Sequence, residues 1–140
     1  MPDEKSISYF AGFFDGEGTA YIAKNGSISI VVTNSHLPTL EYLQNIFGGT
    51  LKAKAKTKNK QCYSLCWYGP NAYALCSVVY EYLITKKKVV KFLIDWMEER
   101  SQYRHIHTKG IKGSQQNSDR QNRLDWFRKQ VTKEVHAEYK

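Results

Sequence analysis

The sequence predicts an α+β domain in which one antiparallel sheet is covered by helices on one face. Three observations carry that expectation. Apolar residues recur at helical spacing in some segments and alternate in others, in the order helix, hairpin, helix, hairpin, helices. Each change of period is marked by glycine, proline or asparagine. Finally, 140 residues of which 41% are hydrophobic and 24% charged suffice for one core and are too few for two well-packed ones.

The first helix is expected from Ser6, as N-cap, to about Asp15, with Ile7, Phe10, Phe13 and Phe14 on its apolar side and glycines at 16 and 18 ending it. The runs TAYIAK and SISIVVT follow, separated by Asn25-Gly26, the strongest signal for a two-residue hairpin turn. Pro38 opens LPTLEYLQNIF, a helix of about three turns with Leu40, Leu43, Ile46 and Phe47 at helical spacing and Gly48-Gly49 as its stop. A second hairpin is read from TLKAKAKT and QCYSLCWY, turning near Lys58, Asn59 and Lys60. Gly69-Pro70 introduces a helix pair, NAYALCSVVYEYLI and KKKVVKFLIDWMEERSQYR, divided around Thr85 and Lys86. The glycine-rich polar stretch from Lys109 to Ser118 reads as a mobile loop, with Ser118 or Asp119 capping a last helix that carries Leu124, Phe127, Val131 and Val135. This divides the chain into a domain over 1–108 and a basic loop with C-terminal helix over 109–140, packed on the same domain. The helix-hairpin order occurs twice, a weak internal repeat without sequence identity.

No run is long and apolar enough to span a membrane, and the start MPDEK lacks the basic and apolar regions of a secretory signal. The protein is therefore expected inside the cell, in cytoplasm, nucleoid or organelle matrix, without a membrane partner. Cys62, Cys66 and Cys76 are odd in number and have no second pair at zinc-site spacing, so they read as free, mostly packed thiols. The net charge of +8 is uneven: two basic residues face five acidic ones up to Phe47, and nineteen face eight from Gly48 onward. Such an excess suits a polyanion, because each cation that neutralises a phosphate releases counterions. Composition does not separate that use from solubility alone.

The segment FAGFFDGEG, Phe10 to Gly18, sets Asp15 and Glu17 among glycines where a helix gives way to a strand. Helix C-termini carry partial negative charge and favour lysine or arginine, so acids there suggest another gain, such as a bound cation. Gly12 and Gly16 stand four apart on one helical face, where a second backbone can approach closely. Two such helices packed together bring two Glu17 side chains near each other, and a divalent cation between them relieves the repulsion. A plain polar turn accounts for DGEG equally well, and an EF-hand wants glycine where Ala20 stands. Spacing alone does not decide.

FAGFFDGEG resembles the motif of the LAGLIDADG homing endonucleases, with Phe10-Ala11-Gly12 as its opening, Phe13-Phe14 as its apolar pair, Asp15-Gly16 next and Glu17-Gly18 as the closing acid and glycine. The likeness of element order continues through the helices after Pro70. It implies an αββαββα domain whose saddle-shaped antiparallel sheet is backed by helices, here with a C-terminal helical extension. Members with one motif copy work as homodimers, so Gly12, Gly16 and Phe13 are implied at the dimer interface. The resemblance further implies a Mg2+-dependent endonuclease that makes a staggered double-strand break in a long, roughly palindromic site in double-stranded DNA, with Mn2+ or Ca2+ able to substitute in binding. Glu17 is implied as metal ligand, with the Gly16 backbone carbonyl beside it, while Asp15 holds the helix end. The family's polar residue after the first hairpin falls on Asn34, and its basic residue after the second falls on Lys86, although spacing from Pro70 also admits Lys88. A second basic residue expected soon after Asn34 has no counterpart, since His36, Leu37 and Pro38 occupy that stretch.

Alternate side chains of a strand point to opposite faces, so each hairpin divides into two sets. Lys52, Lys54 and Lys56 share one face with Cys62, Ser64 and Cys66, against Tyr63, Leu65 and Trp67. In the first hairpin Ser27, Ser29, Val31 and Thr33, with Tyr21 and Ala23 beside them, oppose Ile28, Ile30 and Val32. Hydroxyls and lysines on such a ribbon can meet phosphates and base edges in the major groove. A solvated or aggregation-blocking charged face is the competing reading of the lysines. Two further functional classes stay open: a catalytically silent LAGLIDADG-like protein that binds intron RNA or DNA, as a splicing cofactor (maturase) or regulator does, and an RNA-associated α+β domain with an accidental DGEG turn.

Overall fold

A computed structural model describes residues 2–56, 58, 60–104 and 111–138. The elements run α1 (Glu4–Glu17), β1 (Gly18–Ile22), β2 (Ile28–Asn34), α2 (Leu37–Phe47), β3 (Thr50–Ala53), β4 (Tyr63–Tyr68), α3 (Gly69–Val79), a 3-10 turn (Tyr80–Tyr82), α4 (Lys87–Arg104) and α5 (Ile111–Glu138). The strands form one antiparallel sheet in the order β1-β2-β4-β3. The predicted α+β fold, with helices behind a four-stranded sheet, is what the chain adopts. Among the described residues no helix is long and apolar enough to cross a membrane.

The core lies between the sheet and the helices. Ala20, Ile22, Ile28, Ile30, Val32, Leu65 and Trp67 supply the sheet side, and Phe10, Phe14, Leu40, Leu43, Leu93 and Trp96 are among the helical residues buried against it. Burying each large side chain contributes roughly 1.5–3 kcal/mol. Most of the predicted core therefore stands, because period 2 and period 3.6 both mark the face that leaves water.

Besides β3, which ends at Ala53 and leaves Lys54 and Lys56 of the expected TLKAKAKT strand beyond it, three boundaries differ from expectation. The cap of α1 is Asp3, whose Oδ1 accepts the Ser6 N–H at 2.9 Å, so the helix begins two residues before Ser6; it also runs through Gly16 to Glu17. The first hairpin turns through three residues: Gly26 N–H donates to the Ala23 carbonyl, Ala23 N–H to the Ser27 carbonyl, and Gly26 has φ +91°. A type I turn closed by a left-handed glycine is the usual three-residue hairpin. The extra residue sets the register, placing Ile22 opposite Ile28 and Ala20 opposite Ile30. A two-residue turn would have set Ile22 against Ser29, mixing the two faces.

The third difference is in the C-terminal extension. Residues 111 to 118, expected as loop, belong to α5, so neither Ser118 nor Asp119 is its cap; residues 109 and 110 lie outside the described residues, as does Asn59 of the second turn. α5 packs against α4 and the core: Leu124, Phe127 and Val131 are buried, the Phe127 ring lies 5.5 Å from Trp96, and Arg123 pairs with Glu99 at 2.8 Å. Cys66 and Cys76 are buried and Cys62 half-buried, all as free thiols. Burial pushes the Cys76 thiol up to about 12, which keeps it protonated and unreactive near neutral pH.

Candidate active site and nucleic-acid face

α1 ends where β1 begins, and its last residues part ways. Asp15 turns inward: its Oδ2 accepts the Ile84 N–H at 2.8 Å and its Oδ1 the Lys86 N–H at 3.0 Å. Lys86 returns the contact, its Nζ donating to the Asp15 carbonyl at 2.7 Å. The lysine ammonium thus meets a carbonyl in the last turn of α1, where the helix carries partial negative charge. These bonds tie the 84–86 link, before α4, to the end of α1. Asp15 thus acts as a clamp between α1 and the 84–86 link.

Glu17, two residues on, is exposed and has no hydrogen bond or ion pair among the described residues. Beside it, the Gly16 carbonyl lies beyond Phe14, whose carbonyl accepts the capping N–H of Gly18, so no further helical donor follows for it. An exposed carboxylate next to a carbonyl at a helix C-terminus is an all-oxygen donor set suited to a hard divalent cation. Among the described residues no cluster of three or more metal-binding side chains is preformed. One chain therefore offers one carboxylate here, the other being used by the clamp. The closing glycine of the motif has a packing reason: Gly18 is buried, and a Cβ on it would land on the Phe14 ring.

Asn34 ends β2 at the end of the sheet where α1 enters, since Gly18 pairs with Val32. Its Oδ1 accepts the His36 N–H at 2.8 Å, a turn that leads the chain into α2, and its side-chain amide is left to donate. His36 is the residue before α2, with Nδ1 2.6 Å from Thr39 Oγ1. Asn34 and Lys86 thus flank the end of α1 on different elements.

The other side of α1 is open. A Cβ built on Gly12 or Gly16 meets nothing within 4 Å. Next to these glycines on α1 lie Phe13, half-buried, and Tyr9, 49% exposed and stacked on Phe13, while Ile84, bonded to Asp15, is 86% exposed.

The sheet face away from the helices carries the polar set. Register places Tyr21 opposite Ser29, Ser29 opposite Tyr68, Val31 opposite Cys66, Thr33 opposite Ser64 and Ser64 opposite Lys52, so the predicted sets of both hairpins fall on one continuous surface. Ser29 and Ser64 are buried in its floor, and Ser64 Oγ bonds Thr33 Oγ1 at 3.1 Å. Ser27 and Ala23 lie at the first turn, while Lys54, Lys56 and Cys62 continue past β3 and the start of β4. Thr19, Thr50 and Tyr68 belong to the surface too and were missed. Strand parity with Tyr21, Lys52 and Ser64 would have found them. Tyr68 accepts a 3.1 Å hydrogen bond from Lys52 Nζ, which also lies 5.3 Å from its ring centroid. That hydrogen bond raises the Lys52 ammonium above its ordinary 10.5, so this cation is charged at neutral pH.

Residues 4–96 match a sequence profile described as a LAGLIDADG-like domain. Similar solved structures include an archaeal intron-encoded homing endonuclease, I-Vdi141I, complexed with DNA, at 18% identity and TM-score 0.67 over 95% of this chain and 86% of that one. The homing endonuclease I-CvuI in complex with its target in the presence of 2 mM Ca aligns at 20% identity and TM-score 0.56, covering 68% of this chain and 67% of that one. I-TnaI, another homing endonuclease, aligns at 19% identity and TM-score 0.55 over 89% and 97% of the two chains. No curated protein matches the sequence. At these identities the structural likeness is one of fold.

Proposed function

The chain belongs to the LAGLIDADG-like family, and from that premise we propose that it is a site-specific DNA endonuclease acting inside the cell as a homodimer. The observation that carries this reading is the division of labour between the two acids of the motif. Asp15 is consumed by the clamp on residues 84 and 86, whereas Glu17 stands exposed beside the Gly16 carbonyl. One acid builds the corner and the other is left for chemistry.

Glu17 and the Gly16 carbonyl would hold a divalent metal, Mg2+ in the working enzyme, with Mn2+ or Ca2+ able to support binding. Bound metal supplies an activated water and stabilises the charge that builds on phosphorus and on the departing oxygen. Lys86 brings a fixed positive charge to the same corner, and the Asn34 amide offers a donor that orients water or a phosphate oxygen. The open stripe of Gly12 and Gly16, with Phe13 and Tyr9 next to it, fits a second α1. Packing two copies there sets two Glu17 carboxylates close together, and cations between them remove the repulsion. A long, roughly palindromic site with both strands cut follows from that two-fold arrangement. Tyr21, Thr33, Lys52, Lys54 and Lys56 lie on the surface that faces the duplex, with Ser27, Ala23, Val31 and Cys62 around them and Ser29 and Ser64 in its floor.

The second reading, a catalytically silent binder of intron RNA or DNA, is favoured by one observation. The oxygen of Asn34 is engaged by His36, and no second basic residue follows it. Incubating the purified protein and Glu17→Gln with magnesium and duplexes spanning the sequences that flank its reading frame separates the two. Cleavage by the wild type, a fall of at least about 10²-fold in Glu17→Gln and unchanged duplex binding are expected. Cleavage by Glu17→Gln at the wild-type rate would sink the endonuclease reading as stated; no cleavage by either, with tight binding to folded intron RNA, would establish the second.

A further inference from the structure

We propose that the outer flank of α5 carries the nucleic-acid face past the β1 edge of the sheet and grips the phosphate backbone of the bound duplex; the proposal rests on the DNA-binding reading above. β1 is the outermost strand on its side, so its outward peptide groups have no strand partner. α5 takes that place. Arg128 Nε donates to the Ile22 carbonyl at 3.1 Å, and Leu124, Phe127 and Val131 bury the inner face of the helix.

With the inner face fixed, the outer flank has one orientation. Asp125, Arg128, Lys129, Thr132 and Lys133 form one wall of an open groove of about 680 Å³, and Tyr21 and Ile22 form the other. Tyr21 is 41% exposed and belongs to the DNA-facing surface, so groove and face are continuous. Lys129 and Lys133 are exposed, stand one helical turn apart, and have no ion pair among the described residues. Arg128 adds a third cation. The one acid in the wall, Asp125, accepts from Gln121 at 3.0 Å, and the Thr132 hydroxyl donates to the Arg128 carbonyl at 3.0 Å.

These lysines take no part in packing α5, and they stand where a duplex lying on the sheet would run off its β1 edge. Lysines at such a place attract phosphate without reading bases, so their contribution is the same for all sequences. The helix also lies outside residues 4–96, the part matched by the family profile.

The test is a salt titration of binding to a labelled duplex of unrelated sequence, with wild type, Lys52→Ala and the double variant Lys129→Ala/Lys133→Ala. Both helix lysines are exposed, so an unchanged circular dichroism spectrum and Tm are expected of the double variant. Its slope of log K against log salt is expected to fall by about four for the homodimer, one per phosphate lost from each of two lysines in two protomers, with binding more than about tenfold weaker at 0.1 M salt. An unchanged slope in the double variant, while Lys52→Ala weakens binding, overturns the proposal and leaves the DNA-binding reading standing. Failure of the wild type to bind any duplex overturns both.

Discussion

The first hairpin, β1 with β2, is bolted to the helices behind it, whereas the second, β3 with β4, is held mainly through β4, with Leu51 of β3 half-buried against the core. Both Trp96 Nε1 and Arg100 donate to the Gly26 carbonyl at 2.8 Å, Arg120 donates to the Asn25 carbonyl at 3.1 Å, and Arg128 holds Ile22. α4 and α5 thus fix both the turn and the free edge. In the second hairpin Ser64 to Trp67 are buried, yet Thr50, Lys52 and Ala53 of β3 are exposed, and so are Lys54, Lys56, Lys58 and Lys60 beyond it. The sequence repeats a helix-hairpin unit, and the two copies serve different ends. The first is a rigid platform that presents Tyr21 and Thr33 in fixed positions. The second is a charged arm whose lysines stand exposed; on the proposed function they need attraction more than exact placement.

The turns carry the same contrast. The left-handed position of the first is a glycine, Gly26, whereas among the described residues of the second it is Lys58, at φ +48°. A side chain there costs about 1–2 kcal/mol, and it keeps a cation at the tip of the arm.

Three substitutions test that comparison. Trp96→Ala removes the fully buried ring that both packs on Phe127 and bonds the first turn. A loss of about 3–5 kcal/mol is expected in urea denaturation, a large share of a domain's stability; a loss below about 1 kcal/mol would contradict the bolted platform. Gly26→Ala places a Cβ in a left-handed residue, 2.8 Å from the movable end of Arg120, and is expected to cost about 1–2 kcal/mol. The smallest effect has the opposite sign. Lys58→Gly relieves the backbone of the second turn and is expected to leave Tm unchanged or slightly raised, while duplex binding falls about threefold at 0.1 M salt. A drop in Tm with unchanged binding would show that the second turn is structural after all.

Much of this was legible beforehand because local patterns answer to local physics. The apolar spacing of Phe10 and Phe14 and the alternation of Ile28, Ile30 and Val32 mark one side of each element for burial. The motif FAGFFDGEG located the acids. Other features were not legible. Ser6 is the cap the sequence suggests, and only the fold gives that role to Asp3, since either side chain can accept an N–H from the first turn. The polar, glycine-bearing stretch after 109 looked like loop, but a helix continues readily from a packed turn once nucleation is complete. Arg128 reads as one more surface charge until β1 proves to be an edge strand.

By itself, the sequence determined the periods, the breaks, the polar face of each hairpin and the family to which the motif points, because each depends on residues within a few positions of one another. Tertiary structure decided how those pieces meet. It set the hairpin register through one extra turn residue, assigned Asp15 to the backbone of Ile84 and Lys86 some seventy positions away, left Glu17 exposed beside it, and laid α5 along the open edge of β1. These choices depend on burial and hydrogen-bond partners brought together only when the chain folds, and no local pattern records them.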